Sequence, residues 1–500
     1  MSWGWLSVRG QILARAGVGV LSWVIGPDLV DEAVGDGLAW ERRLRALPAR
    51  FGVYFVLGLA MFSGVPYREV VRKLTNGLEA PLAGAGWRVP ATTALTGVRR
   101  RVGEAPLESL FRRLCGALSP GRSPWSHVCG LLAVAWDGTT VAAEASEANI
   151  AAFGQVKGLK GGHYAHLRLV SLVACGTRGL LGAAFGPVRG KGTGEQALAG
   201  TLLDRLRAGM LLLADRNFYS FALWTAAAAR AELLWRVKSS MHLPCLAELP
   251  DGSWLAHVSD PAAVRARAQR NGQRRRRGSA RPPETGPLPG ITVRVIEFTL
   301  TVDTDDGGTR TERYRLITTL TDWRKYPAAD LAAAYAWRWA IETGYREFKT
   351  YLRGPGRRLR SQTPDLARQE LWAYLAIYQA ARTIIAAAAA RDGLDPDRIS
   401  FTATLYAAHR TLPAARDHMG AALDQTETEI LSCLVPIREG RICLRAVAAR
   451  PPCPYPSRNT LTGPISQHAT YTTTITTPAH TTHTPTHQAK QPTSHPANPP

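Results

Sequence analysis

An α/β fold built around one mixed sheet is what this chain of 500 residues predicts, and three observations carry that expectation. Between Leu131 and Lys238, apolar runs of strand length alternate with helical stretches. Two of those runs stop at an aspartate, Asp137 and Asp215. The regions before about residue 125 and after residue 363 carry helical patterning instead. A hydrophobic content of 45% marks a globular chain with enough length for several domains.

The formal net charge is +22, and only Arg458 and Lys490 lie beyond residue 450, so the excess sits in the folded part. Such a balance favours a polyanionic partner, nucleic acid before membrane. The apolar run Val18–Ile25 is too short to span a bilayer and lacks a small-residue cleavage site, so a cytoplasmic protein is expected. The seven cysteines are odd in number and scattered without Cys-x-x-Cys or zinc spacing, which argues against a disulfide scaffold and a zinc finger.

Taken in order, residues 1–125 read as a helical domain with a basic character suited to DNA. Within it, Asp31–Leu47 is mixed in charge, Phe51–Met61 is apolar, and Tyr67–Leu74 and Thr92–Leu114 are basic. Two short basic helices after a buried one suit a helix-turn-helix-like reader, and equally a helical bundle with snorkelling arginines. Residues 126–238 hold the first part of the catalytic core. Its expected strands are Leu131–Trp136, His166–Ala174, Leu180–Phe185, Met210–Ala214 and Leu233–Lys238, with helices over Glu195–Ala208 and from Ser220 through Glu232. The cluster Gly190–Gly194 lacks phosphate-loop spacing and reads as a loop. Residues 239–312 read as a β-rich insertion with a flexible basic loop that includes Arg274, Arg275, Arg276 and Arg277, suited to phosphate contact. Residues 313–363 complete the core. Residues 364–447 are helical and offered as a dimer contact, and residues 448–500, rich in Thr, Pro and His without one acidic residue, read as a disordered tail.

The stretch Tyr335–Lys349 organises the second half of the core. Without proline it reads as one helix, and at about 100° per residue Tyr335, Arg338, Glu342 and Lys349 share an arc of roughly 60°. One carboxylate among spaced cations is what a metal-dependent enzyme acting on a polyphosphate strand needs. Asp137, Asp215 and Glu342, brought to one sheet edge, would form an oxygen-only site for Mg²⁺ or Mn²⁺. Two such ions about 4 Å apart support in-line phosphoryl transfer.

On these residues the sequence resembles the DDE transposases of bacterial insertion sequences, in the IS-four family. The signature Tyr-x2-Arg-x3-Glu-x6-Lys is met by Tyr335, Arg338, Glu342 and Lys349. Asp137-Gly138-Thr139, the run Leu211–Ser220, Leu233–Lys238 and Leu359–Pro364 also match, and Glu41–Arg50 looks like the family's N-terminal domain. The resemblance implies an RNase H-like catalytic core interrupted by the β-rich insertion. It also implies catalysis by Asp137, Asp215 and Glu342 with two Mg²⁺ ions per site, and phosphate contacts from Tyr335, Arg338 and Lys349. The implied reaction is cut-and-paste transposition through strand cleavage, a hairpin and strand transfer. Its partners would be terminal inverted repeats and target DNA, engaged by a homodimer at the nucleoid. Tyr314 is the aromatic nearest the position where some relatives stack a base. The weighed alternatives are a catalytically inactive descendant acting as an end-binding repressor, and a nuclease without strand transfer.

Overall fold

The structure is a computed structural model. It describes residues 8–13, 15–36, 47–119, 121, 123–156, 162–277, 282–304, 309–412, 418–436, 441–443 and 466–477. Most of the Glu41–Arg50 stretch, the tip of the turn after Asp303, and the tail apart from 466–477 lie outside the described residues.

The strands are β1 (His127–Val128), β2 (Leu131–Ala143), β3 (Ala165–Ala174), β4 (Leu180–Pro187), β5 (Met210–Ala214), β6 (Glu232–Arg236), β7 (Cys245–Glu248), β8 (Trp254–Ser259), β9 (Gly290–Thr304), β10 (Thr309–Thr318), β11 (Arg441–Cys443) and β12 (Ser466–Ile475). They join one mixed sheet in the order β11-β12-β9-β10-β6-β5-β2-β3-β4. At its centre β2, β5 and β6 run parallel, with antiparallel β3 and β4 on one side and antiparallel β10 on the other.

Strand alternation sorts the central residues onto two faces. Val134, Trp136, Leu212, Ala214, Leu233 and Trp235 pack into one core with Trp224 of the helix Phe221–Ala228. Ala133, Ala135, Leu211 and Leu213 pack into another with Leu331, Ala334 and Tyr335 of the helix Ala328–Tyr335. The odd-numbered face is therefore the one covered by the signature segment.

Several sequence expectations need correction. Asp137 does not end a strand. Parallel pairing of β2 with β5 stops at Ala135, but antiparallel pairing with β3 continues to Ala143, so Asp137 sits mid-strand. The expected insertion is no separate unit, because β10 pairs with β6 and extends the core sheet through β9. The arginine-rich segment is no loop but the helix Pro261–Arg276, started by proline at its first turn and by Asp260, whose side chain accepts from the Ala262 amide. Part of the tail is ordered too. The β-branched run Ser466–Ile475 pairs with the second half of β9, while β8 pairs with the first half, so both halves of that edge are covered.

The N- and C-terminal helices share one core rather than forming two domains. Ala49–Met61 is buried along its whole length and packs with Ala105–Leu114 against Pro364–Arg391. That last helix is long and apolar enough to cross a bilayer, but its apolar window is 83% buried inside the protein, which also removes it as a dimer face. Arg99, expected among the basic helices, is 1% exposed and donates to Gln369 at 3.0 Å, Ser361 at 2.9 Å and the Leu366 carbonyl at 3.0 Å. Arg113 pairs with Glu32 and Asp36, and Arg112 with Glu108. Arg99 and Arg113 thus link separate helices, while the Arg112–Glu108 pair lies within Ala105–Leu114.

Candidate active site

Register places the two aspartates. Ala135 pairs with Leu213 on the neighbouring parallel strand, so Asp137 and Asp215 both lie two residues beyond that rung. The pairing itself ends at that rung, and continued alternation puts both side chains toward the face covered by the signature segment.

That segment is not the uniform helix the sequence suggests. The α-helix Ala328–Tyr335 passes through a 3₁₀ turn (Ala336–Arg338) into the α-helix Trp339–Arg346, and then into a π-helical turn (Glu347–Leu352). Changes of winding at this position break the common stripe and send the four signature residues to different partners. Tyr335 is buried at 4% exposure and its hydroxyl donates to the Ala214 carbonyl, 3.3 Å away, just before Asp215. This corrects its assignment as a phosphate contact; its observed role is to fix the segment against β5. Arg338 donates to the Glu342 carboxylate at 3.0 Å and lies 3.6 Å from Asp137. The Lys349 ammonium donates to the Thr139 hydroxyl, one strand repeat beyond Asp137.

Tyr345, which carried no role in the sequence reading, does on β2 what Tyr335 does on β5. Its hydroxyl donates to the Asp137 carbonyl at 2.6 Å and accepts from the Ser171 amide at 3.2 Å. The segment is thus anchored by one tyrosine at each aspartate-bearing strand. Glu195 was missed as well. It opens the helix Glu195–Gly200 after the Gly190–Gly194 turn, and its carboxylate lies over Gly138, where an added Cβ would meet Oε1 at 2.3 Å. Nothing in its spacing to the triad signals that proximity. Trp339 is 53% exposed beside Arg338, whose guanidinium lies 5.1 Å from the indole.

Burial pushes Asp137 up to about 6. The Gly138 amide and Arg338 oppose that shift, while the nearby Glu342 and Glu195 charges reinforce it. Burial also pulls the Lys349 amine down to about 8, helped by Arg353 and opposed by Asp137. For Arg338, burial is outweighed by Tyr335, Asp137, Glu342 and Asp215, and the guanidinium is held above its usual range.

The donor chemistry fits a hard divalent cation, since the triad supplies only carboxylate oxygens. Among the described residues no three such side chains are gathered as metal ligands. The place of positive charge between Asp137 and Glu342 is held by Arg338 itself.

Two further sequence candidates lie elsewhere. Tyr314 is 8% exposed, with Phe298 stacked on it at 5.0 Å and Arg236 4.1 Å from its ring, so both faces are taken and it is not free to stack a base. Arg274 pairs with Glu284 at 2.9 Å, and Arg275, Arg276 and Arg277 stay exposed at the end of their helix.

Comparison with known proteins gives the family. Residues 15–112 match the family described as insertion element 4 transposase N-terminal, and residues 130–379 match the transposase DDE domain. The chain belongs to the IS4 family of DDE transposases. It is 25% identical over 437 residues to the transposase InsG for insertion sequence element IS4 of Escherichia coli (strain K12), covering 85% of this chain and 91% of that one. It is 31% identical over 185 residues to the putative transposase InsZ of the same organism, covering 36% and 56% respectively. A piggyBac transposase synaptic complex with hairpin DNA aligns over 82% of this chain and 84% of that chain, at 8% identity and a TM-score of 0.39, too remote to build on. The protein is a DNA transposase, in a family that acts on DNA strands with divalent metal ions.

Proposed function

We propose that this transposase cuts and joins DNA by phosphoryl transfer at Asp137, Asp215 and Glu342. The observation that carries the reading is the pair of register-matched aspartates facing a helix whose Glu342 already shares a cation with Asp137. The order β4-β3-β2-β5-β6, antiparallel and then parallel, supports an RNase H-like core.

The three carboxylates would hold Mg²⁺ or Mn²⁺, two ions in all. Bound there, divalent ions lower the pKa of an attacking water or 3′-hydroxyl and stabilise the leaving oxygen. Arg338 leaves the carboxylates for a backbone phosphate of the DNA, exchanging one anionic partner for another. Lys349 and Thr139 orient the strand on the far side of Asp137. Tyr335 and Tyr345 keep the glutamate helix in place as the cations change. The resemblance supports a hairpin between end cleavage and strand transfer, a dimer that pairs two element ends, and end binding by the N-terminal helices. The intact triad does not favour the binding-only descendant.

The test is incubation of the purified protein with its element's end DNA and Mg²⁺, with products resolved on a denaturing gel. Nicks and hairpins that vanish in Glu342→Gln while end binding persists are expected. Parallel loss of cleavage and binding in that variant would remove Glu342 from the reacting centre.

A further inference from the structure

The basic glycine loop at 354–360 has no place in the chemistry above, yet it lines one side of a sizeable cavity away from the triad. The cavity holds about 520 Å³ between the end of Ala49–Met61, the π-helical turn and the helix Phe401–Arg410. That is room for a nucleotide-sized group, pockets for such ligands running from roughly 300 to 1,000 Å³. Its walls include Lys73, Arg353, Arg357, His409, Tyr351 and Tyr406, and no described acidic residue lines it.

Arg353 is the unusual member. It is 6% exposed, its Nε and Nη1 atoms are buried without a hydrogen-bond partner, and among the described residues no carboxylate pairs with it. Its Nη2 reaches only the Arg357 carbonyl. The buried Glu370 carboxylate favours the Arg353 charge without pairing to it, so the cation is only partly compensated, and an anion in the adjoining cavity adds to that compensation. Arg357 is seated by design of the backbone. Gly64, at φ 83°, lies beneath its guanidinium, where any Cβ would collide, and the guanidinium donates to the Ser63 carbonyl. At the rim Tyr351 and Tyr406 are 48% and 57% exposed, flat rings open to solvent. Lys73 is exposed beside them, its ammonium 5.2 Å from the Phe62 ring.

We propose that this cavity is a second DNA site, taking one backbone phosphate near Arg353 and Lys73 and a nucleoside against Tyr351 or Tyr406. Two of its lining residues, Tyr351 and Arg353, follow Lys349 by two and four residues. The inference rests on the chain binding DNA and not on the metal chemistry at the triad.

The experiment is titration of full-length protein, in EDTA, with a labelled 40-base-pair duplex ending in the element's terminal repeat, across a salt series. Lys73→Gln is expected to weaken binding about tenfold and to flatten the salt slope by about one unit. Tyr406→Ala is expected to weaken binding by about tenfold with the slope unchanged, as loss of stacking predicts. Both are surface changes whose melting temperatures should match the parent, whereas Arg353→Met risks the fold. A duplex with 5-iododeoxyuridine near its end should cross-link to Tyr351 or Tyr406. Wild-type affinity and slope in both variants would overturn the site, as would dTMP binding there without displacing the duplex. Failure of the parent protein to bind the duplex would instead remove the DNA-binding reading itself.

Discussion

Two arginine–carboxylate clusters flank the signature segment, and they differ in whether the cation can leave. At the triad, Arg338 is 3.0 Å from Glu342 and 3.6 Å from Asp137, and those carboxylates are 42% and 22% exposed. A few residues on, Glu347 is ion-paired with Arg178, lies 3.7 Å from Arg382 and accepts from the Tyr378 hydroxyl at 3.1 Å, with the three charged side chains no more than 7% exposed. Arg382 also donates to the Thr177 carbonyl at 2.8 Å. The second cluster is buried apart from the half-exposed Asp397 that also pairs with Arg178, so its charges hold the π-helical turn to Pro364–Arg391. The first is open to water on its acidic side, so a phosphate or a metal ion can displace the guanidinium. One arrangement builds; the other waits for an exchange.

Removing one partner from each cluster should separate them most sharply. Glu347→Ala leaves Arg382 with only the Thr177 carbonyl and Arg178 with only Asp397 as its carboxylate partner, and is expected to cost at most about 3–5 kcal/mol, read as a lower urea midpoint. Arg338→Ala removes a buried side chain but leaves carboxylates that are partly open to water, and should cost less than Glu347→Ala while weakening DNA binding. Equal losses would erase the distinction.

A smaller effect comes from Asp137. Its folded pKa of about 6 lies above the unfolded value, so its protonated form favours folding and ionisation costs stability as pH rises through 6. In metal-free buffer at pH 7, Asp137→Asn should therefore raise stability, by at most about 3 kcal/mol. The gain should close as pH falls toward 4. A variant less stable than the parent at pH 7 would mean the Arg338 contact outweighs burial.

Lys349 gives a third handle. With its amine near 8, it loses charge between pH 7 and 9, where a free lysine would not. Metal-free DNA binding should weaken over that range, and Lys349→Arg should abolish the change. A flat profile in the parent would take Lys349 off the DNA path. The smallest expected effect is Gly138→Ala, whose Cβ meets only the mobile end of Glu195. We expect under about 1 kcal/mol of lost stability and, with the like charge moved away, a lower Asp137 pKa by NMR titration.

What was legible in the sequence was what spacing alone encodes. The 78 residues from Asp137 to Asp215 equal the β2–β5 register offset, and the apolar runs gave the central strands. The signature gave the residues but not their geometry, because periodicity assumes one winding and this segment uses three. Tyr345 and Glu195 act through contacts more than a hundred and fifty residues away and about fifty-seven residues away in sequence, respectively, which no local pattern reports. Arg99 and Tyr314 look like surface readers in the sequence because exposure is set by packing partners from Gln369 and Phe298. The strand Ser466–Ile475 was hidden by tail composition, since it is the open edge of β9 that gives it somewhere to go.

The π-helical turn at Glu347–Leu352 works as a gear with one extra tooth. Upstream of it Arg338 links Glu342 with Asp137; within and just after it, the wider winding sets which way Lys349, Tyr351 and Arg353 face. Deleting a single residue from the turn would restore ordinary winding, leave the triad where it is, and rotate everything that follows. A change of one residue in this turn would therefore re-aim Arg353 and the cavity wall while leaving Asp137 and Glu342 in place.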